Sequence, residues 1–133
     1  MKNKLPIGYY LKKADNLLNE GIDKVHEEAG INRLQWQILH SIHEGYSKEK
    51  MVDVLREFAN PRVIDETLDQ MTENQLISQV DGLSMTEKGR VIFEQCLQKQ
   101  KEFRLKAVQN ISEDEYFTTI ETLEKIISNL EDQ

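Results

Sequence analysis

A chain of 133 residues is long enough for one domain and can bury roughly two thirds of its unfolded surface, so it needs no disulfide or metal staple. Apolar residues at 38%, charged residues at 31% and only eight Gly and Pro together exclude a disordered or fibrous chain and point to an ordered, helix-rich soluble protein. The formal net charge of −7 argues against nonspecific nucleic-acid binding, which calls for a basic surface. In chain order, Ile7, Leu11, Ala14, Leu18, Ile22 and Val25 recur at spacings of three and four, which predicts one helix from Ile7 to about Glu28 with one apolar stripe. Pro6 suits its first turn and Gly30 stops it. Asn32 caps a second helix, Arg33 to about Glu44, in which Leu34, Trp36, Ile38, Leu39 and Ile42 wrap more than one face and predict a central position. Gly45 ends this helix, and Ser47 caps a third on which Met51, Val54, Leu55 and Phe58 share a face. Asn60-Pro61 is a specific start signal, an N-cap followed by proline at the first helical position; Ile64, Leu68 and Met71 then give an inward stripe up to about Asn74.

The tight connection between the third and fourth helices predicts a helix-turn-helix. Leu76 to Val80 and Leu83 to Met85 are short β-compatible runs around Asp81-Gly82, a pair suited to a two-residue type I′ turn, and so predict a hairpin. Thr86 caps a long helix with Phe93, Cys96, Leu97, Phe103, Ala107 and Ile111 near one face. Ser112 and Glu115 form a capping box before a last helix, where Tyr116, Ile120, Leu123, Ile127 and Leu130 alternate spacings of four and three, as in a coiled-coil seam. The expected architecture is mainly α: a winged helix-turn-helix with a short β-hairpin wing, flanked by N-terminal and C-terminal helices. The chain reads as a single domain over 1–133, with a head at 31–86 between outer helices at 1–30 and 87–133.

No apolar run is long enough to span a bilayer, and no export signal is evident. The single Cys96 excludes an internal disulfide framework and fits a reducing cytoplasm. By region, residues 1–30 are neutral; residues 31–85 carry five basic against nine acidic groups, and residues 86–133 seven against ten. The middle of the chain is therefore its most acidic part.

The element order, together with "INRLQWQIL" at 31–39 and "MTEKGR" at 85–90, resembles the MarR family of bacterial transcription regulators. The first stretch is similar to the family's second helix, with a Gln-Trp pair after a turn. The second is similar to its Leu-Thr-x-x-Gly-Arg stretch after the wing. The resemblance implies a homodimer in which the first and the last two helices interlock. The apolar stripes argue the same way, because three helices outside the head carry long apolar faces; Ile7, Leu11, Leu18, Ile120, Leu123, Ile127 and Leu130 are the expected dimerisation residues. Packing of these faces within one chain is the alternative.

The resemblance also implies double-stranded DNA as partner, with the helix from Asn60 in the major groove. Two departures weaken that expectation. The outward positions of this helix are Arg62, Asp65, Glu66, Asp69 and Glu73, which net −3 and repel phosphates. The family wing carries an Asp-x-Arg element whose arginine enters the minor groove, and no residue here matches it. Candidate DNA contacts are Ser47, Lys48, Lys50, Asn60, Arg62, Lys88 and Arg90, with pairing to nearby acids as the competing role for Arg62 and Arg90.

A small hydrophobic effector is a further partner that the resemblance implies, with Tyr9, Tyr10, Trp36 and Tyr46 as candidate cleft residues. His40 and His43, with Glu44 and His26, have spacing compatible with a metal, but no further ligand cluster aligns with them, and no metal or cofactor is expected. Cys96 lies on an apolar helix face, which favours inert packing over redox sensing. No nucleophile elbow, phosphate loop or zinc-protease signature is present, so the chain reads as a non-enzyme. The rival to a DNA-binding regulator is a protein-interaction or dimerisation module that keeps the winged-helix fold without DNA affinity.

Overall fold

The computed structural model describes residues 4–131; residues 1–3 and 132–133 of the expected domain lie outside them. Six helices and one hairpin follow in the order α1 (Ile7–Glu28), α2 (Arg33–His43), α3 (Lys48–Leu55), α4 (Pro61–Glu73), β1 (Ile77–Ser78), β2 (Ser84–Met85), α5 (Glu87–Ala107) and α6 (Glu113–Glu131). The chain divides into two compact units, the first running to Lys101 and the second from Glu102.

The predicted caps form as hydrogen bonds. Asn32 accepts from the Gln35 N–H while Gln35 accepts from the Asn32 N–H, a reciprocal capping box at 2.8 Å each way. Ser47 accepts from the Lys50 N–H at 3.1 Å, Asn60 from Val63 at 2.9 Å, and Thr86 from Gly89 at 3.0 Å. Ser112 and Glu115 close the second capping box, at 3.1 and 2.9 Å, and the Ser112 N–H donated to the Glu115 carboxyl holds it below its ordinary range.

The core of the first unit lies between α2, α4, the hairpin and the first half of α5. Ile38 and Leu39 of α2, Met51 and Leu55 of α3, Ile64, Leu68 and Met71 of α4, Ile77 of β1 and Phe93 and Cys96 of α5 are all buried. Gly89 allows the close approach of α5 to the hairpin, since a Cβ there would run into the carbonyl oxygen of Leu76. Trp36 stacks on Phe93 at 4.9 Å and joins α2 to α5.

Two expectations about apolar faces change, on α3 and on α5. The third helix stops at Leu55, and Val54 and Phe58 point to solvent, Phe58 being 64% exposed; only Met51 and Leu55 reach the core. The chain turns at Phe58 and Ala59, whose N–H groups both bond back to the Leu55 carbonyl. On α5, Phe93 and Cys96 are buried but Leu97 is exposed. In α1, only His26 is buried.

The hairpin also departs from the two-residue turn. Asp81 and Gly82 do adopt positive φ, 57° and 97°. The ladder, however, pairs Ile77 with Met85 and Ser78 with Ser84, which centres the connection on Asp81 and leaves residues 79–83 unpaired. Local side-chain bonds explain the shift. Ser78 Oγ takes the Val80 N–H at 3.2 Å, which removes that donor from the ladder, and the Gln79 side-chain amide ties the turn to Thr72 and Asp69 of α4 at 2.8 and 3.2 Å.

In the second unit, α6 has no buried residue; Ile120, Ile127 and Leu130 are exposed and Leu123 is half-buried. Ile7, Leu11 and Leu18 of α1 are exposed as well.

Candidate nucleic-acid interface

The N-terminus of α4 is built by Asn60 and Pro61. Asn60 occupies extended backbone, its side chain holds the Val63 N–H, and Pro61 takes the first helical position. Proline has no N–H and Asn60 has taken that of Val63, so the Arg62 N–H is the donor left in this first turn. Arg62 projects from it with a side chain that is 87% exposed.

The other exposed groups on α4 are mostly acidic, and they tie up the bases beside them. Arg62 Nε lies 3.1 Å from Glu66 Oε1, one turn along the same helix. Lys48 Nζ lies 3.1 Å from Asp65 Oδ1 and bridges α3 to α4. Lys50 sits over the Tyr46 ring at 4.4 Å, and Lys88 donates to the Asn74 carbonyl at 3.2 Å. Ser47, like Asn60, is occupied as a cap. Among the described residues, Arg90 has neither an ion pair nor a hydrogen bond from its side chain. The pairs are solvent-exposed, so each is worth about 1 kcal/mol or less and opens readily when a stronger anion such as phosphate arrives.

Val63, missed in the sequence reading, is 38% exposed in the first turn of α4, beside Arg62. The signal was its place one residue before Ile64, off the inward stripe of Ile64, Leu68 and Met71. An apolar side chain at such a place suits contact with a thymine methyl group.

Arg90 and Glu94 line a cleft of about 440 Å³ whose walls include Ile42, Leu83, Met85 and Phe93. The aromatic residues expected to line a cleft do not line this one. Tyr9 and Tyr10 pack edge to face on exposed α1, Trp36 is stacked between His26 and Phe93, and Tyr46 lies under Lys50. His40 faces Glu44 at 3.4 Å and His43 packs on Phe93 at 4.7 Å; the described residues contain no group of three or more side chains placed to hold a metal. Cys96 is fully buried, and burial pushes its thiol up and away from the reactive thiolate. No described helix is long and apolar enough to cross a membrane.

No protein-family model matches the chain, and no curated protein matches it. Solved structures do. MarR of E. coli in its reduced form aligns with a TM-score of 0.68 and 18% identity, over 93% of this chain and 95% of that one. A mutant of MepR from S. aureus, bound to an oligodeoxyribonucleotide, aligns at 0.66 and 17% identity over 96% and 99% of the two chains. A MarR family protein of Mycobacterium tuberculosis in complex with DNA aligns at 0.69 and 14% identity over 92% and 98%. At these identities the likeness speaks for the fold, and it extends over almost the whole of each chain. The protein has the winged helix-turn-helix fold of the MarR regulators.

Proposed function

We propose that the protein is a dimeric, MarR-like transcription regulator that reads double-stranded DNA with the N-terminus of α4 and draws little on its wing. The observation that carries this reading is the Asn60-capped start of α4, with Arg62 and Val63 exposed beside it, in a fold shared with two proteins solved on DNA. Arg62 and Val63 would meet base edges, while Ser47, Lys48, Lys50, Lys88 and Arg90 would meet the backbone. The wing ends in Asp81 and Gly82 and carries no basic residue between Leu76 and Lys88, which supports a shortened, weakly contributing wing. Few phosphates are neutralised by such a head, so its affinity should fall only gently with salt.

Self-association is supported by the exposed apolar residues at both ends of the chain. Ile7, Leu11 and Leu18 on α1 and Ile120, Ile127 and Leu130 on α6 stay exposed, and Leu123 is covered only in part. A second copy of the chain is the simplest way to remove them from water. The Arg90 cleft supports an effector reading, since its largely apolar walls, with the Arg90 guanidinium and the Glu94 carboxylate among them, suit a small hydrophobic molecule.

One observation favours a second reading, a protein-interaction module without DNA affinity: Lys48, Lys50, Arg62 and Lys88 all have partners within the chain. Fluorescence anisotropy against a random duplex pool at low salt, followed by selection of the bound fraction, separates the two. The DNA reading expects a selected sequence, and Arg62→Ala should cost about 1–3 kcal/mol on it. Absence of binding at micromolar protein removes the DNA reading and favours the second.

A further inference from the structure

His26 stands in the last turn of α1 and is 2% exposed, the only buried residue of that helix. Its ring stacks on Trp36 of α2, with centroids 5.6 Å apart and planes 24° from parallel, and its Nε2 lies 2.9 Å from Nε2 of Gln100 on α5. Its Nδ1 has no hydrogen-bond partner among the described residues. With the Gln100 amide donating to Nε2, the proton of the neutral ring sits on Nδ1, buried and unanswered.

We propose that His26 is an acid-sensitive latch: proton uptake by its ring releases the last turn of α1 from Trp36 of α2 and from Gln100 of α5. A second proton puts an N–H on Nε2, donor against donor with the Gln100 amide. Turning that amide over restores one bond, yet it leaves Nδ1–H unpaired and a full charge between an indole ring and the core. The charged groups acting on the ring do not relieve this. Asp23, one turn earlier on α1, favours the proton, and Arg33 at the start of α2 opposes it; the two are paired with each other at 2.8 Å. From α5 the group that meets the ring is the neutral Gln100 amide.

The ring is also well placed to transmit the change. The His26 carbonyl accepts both the Ala29 and Ile31 N–H groups at 3.0 Å, so displacing it unfastens the link from α1 to the core residue Ile31. On the other side, Trp36 stacks on Phe93, which walls the Arg90 cleft. The latch is independent of DNA binding, and its test contains no DNA.

The experiment follows three signals of the full-length protein by NMR from about pH 7.5 to about pH 5: the His26 ring, the Trp36 indole and hydrogen exchange of the 25–29 amides, corrected for intrinsic rates. The expected result is one shared midpoint, with amide protection dropping about tenfold across it. His26→Phe, which keeps a ring and cannot titrate, should hold its protection constant. Separate midpoints, or an equal loss of protection in the variant, overturn the proposal. Should His26→Phe fail to fold, the wild-type midpoints decide alone.

Discussion

Arg62 and Glu66 set the character of the candidate interface at the scale of single residues. Both were visible in the sequence as outward positions on one helix, but which acid would take the arginine was not, because a partner three or four residues along depends on rotamers rather than on spacing. On the proposed DNA reading, Glu66 would oppose binding twice, by occupying Arg62 and by repelling phosphate. Glu66→Gln should therefore tighten binding to a selected duplex about threefold, and more steeply at low salt. An unchanged titration would place Glu66 away from the DNA. His26 was legible only as an unassigned histidine, since its burial depends on α2 and α5, remote in sequence. Desolvation by burial pulls its pKa below the ordinary value, with Asp23 opposing and Arg33 adding to the shift. The unfolded chain thus binds the proton first. The stability tied to the neutral ring is fully present above about pH 6.5 and is lost as pH falls from there through the lowered folded value. Urea midpoints measured over that window should decline in the wild type and decline less in His26→Phe.

Helices were the most legible elements, because their start signals act through neighbours three residues apart. Asn32, Ser47, Asn60, Thr86 and Ser112 each cap the helix expected of them. Ends and hairpin register were less legible. Ser78 takes a backbone donor from the ladder and the Gln79 side chain ties the turn to α4, and no alternation of apolar and polar residues reports either bond. The end of α4 shows another such compromise. Gln75 has φ 63°, and its N–H and that of Leu76 bond back to Thr72 and Met71 at 3.0 and 2.9 Å. This is a left-handed helix ending, in which a Cβ is strained and glycine is not. Gln75→Gly should raise unfolding stability by about 1 kcal/mol in chemical denaturation. A loss of stability would mean that the Gln75 side chain contributes more than its backbone costs.

On the scale of the whole molecule, the winged-helix architecture follows from element order, and the alignment with solved structures bears it out across nearly the full chain. Function was less legible. The charge balance opposes DNA, while the start of α4 favours it, and composition weighs neither at the surface that matters. The outer helices carry the remaining argument: α6 without a buried residue and α1 with only His26 buried are explained if a second chain covers them. Leu123→Asp should then shift the protein toward monomers in sedimentation at micromolar concentration, with its helix content retained. The most direct single measurement is sedimentation of a labelled, selected duplex with the wild-type protein, read as chains bound per duplex. Two chains on each duplex is the predicted stoichiometry. One chain per duplex, or a duplex that sediments as if alone, contradicts a dimeric DNA reader.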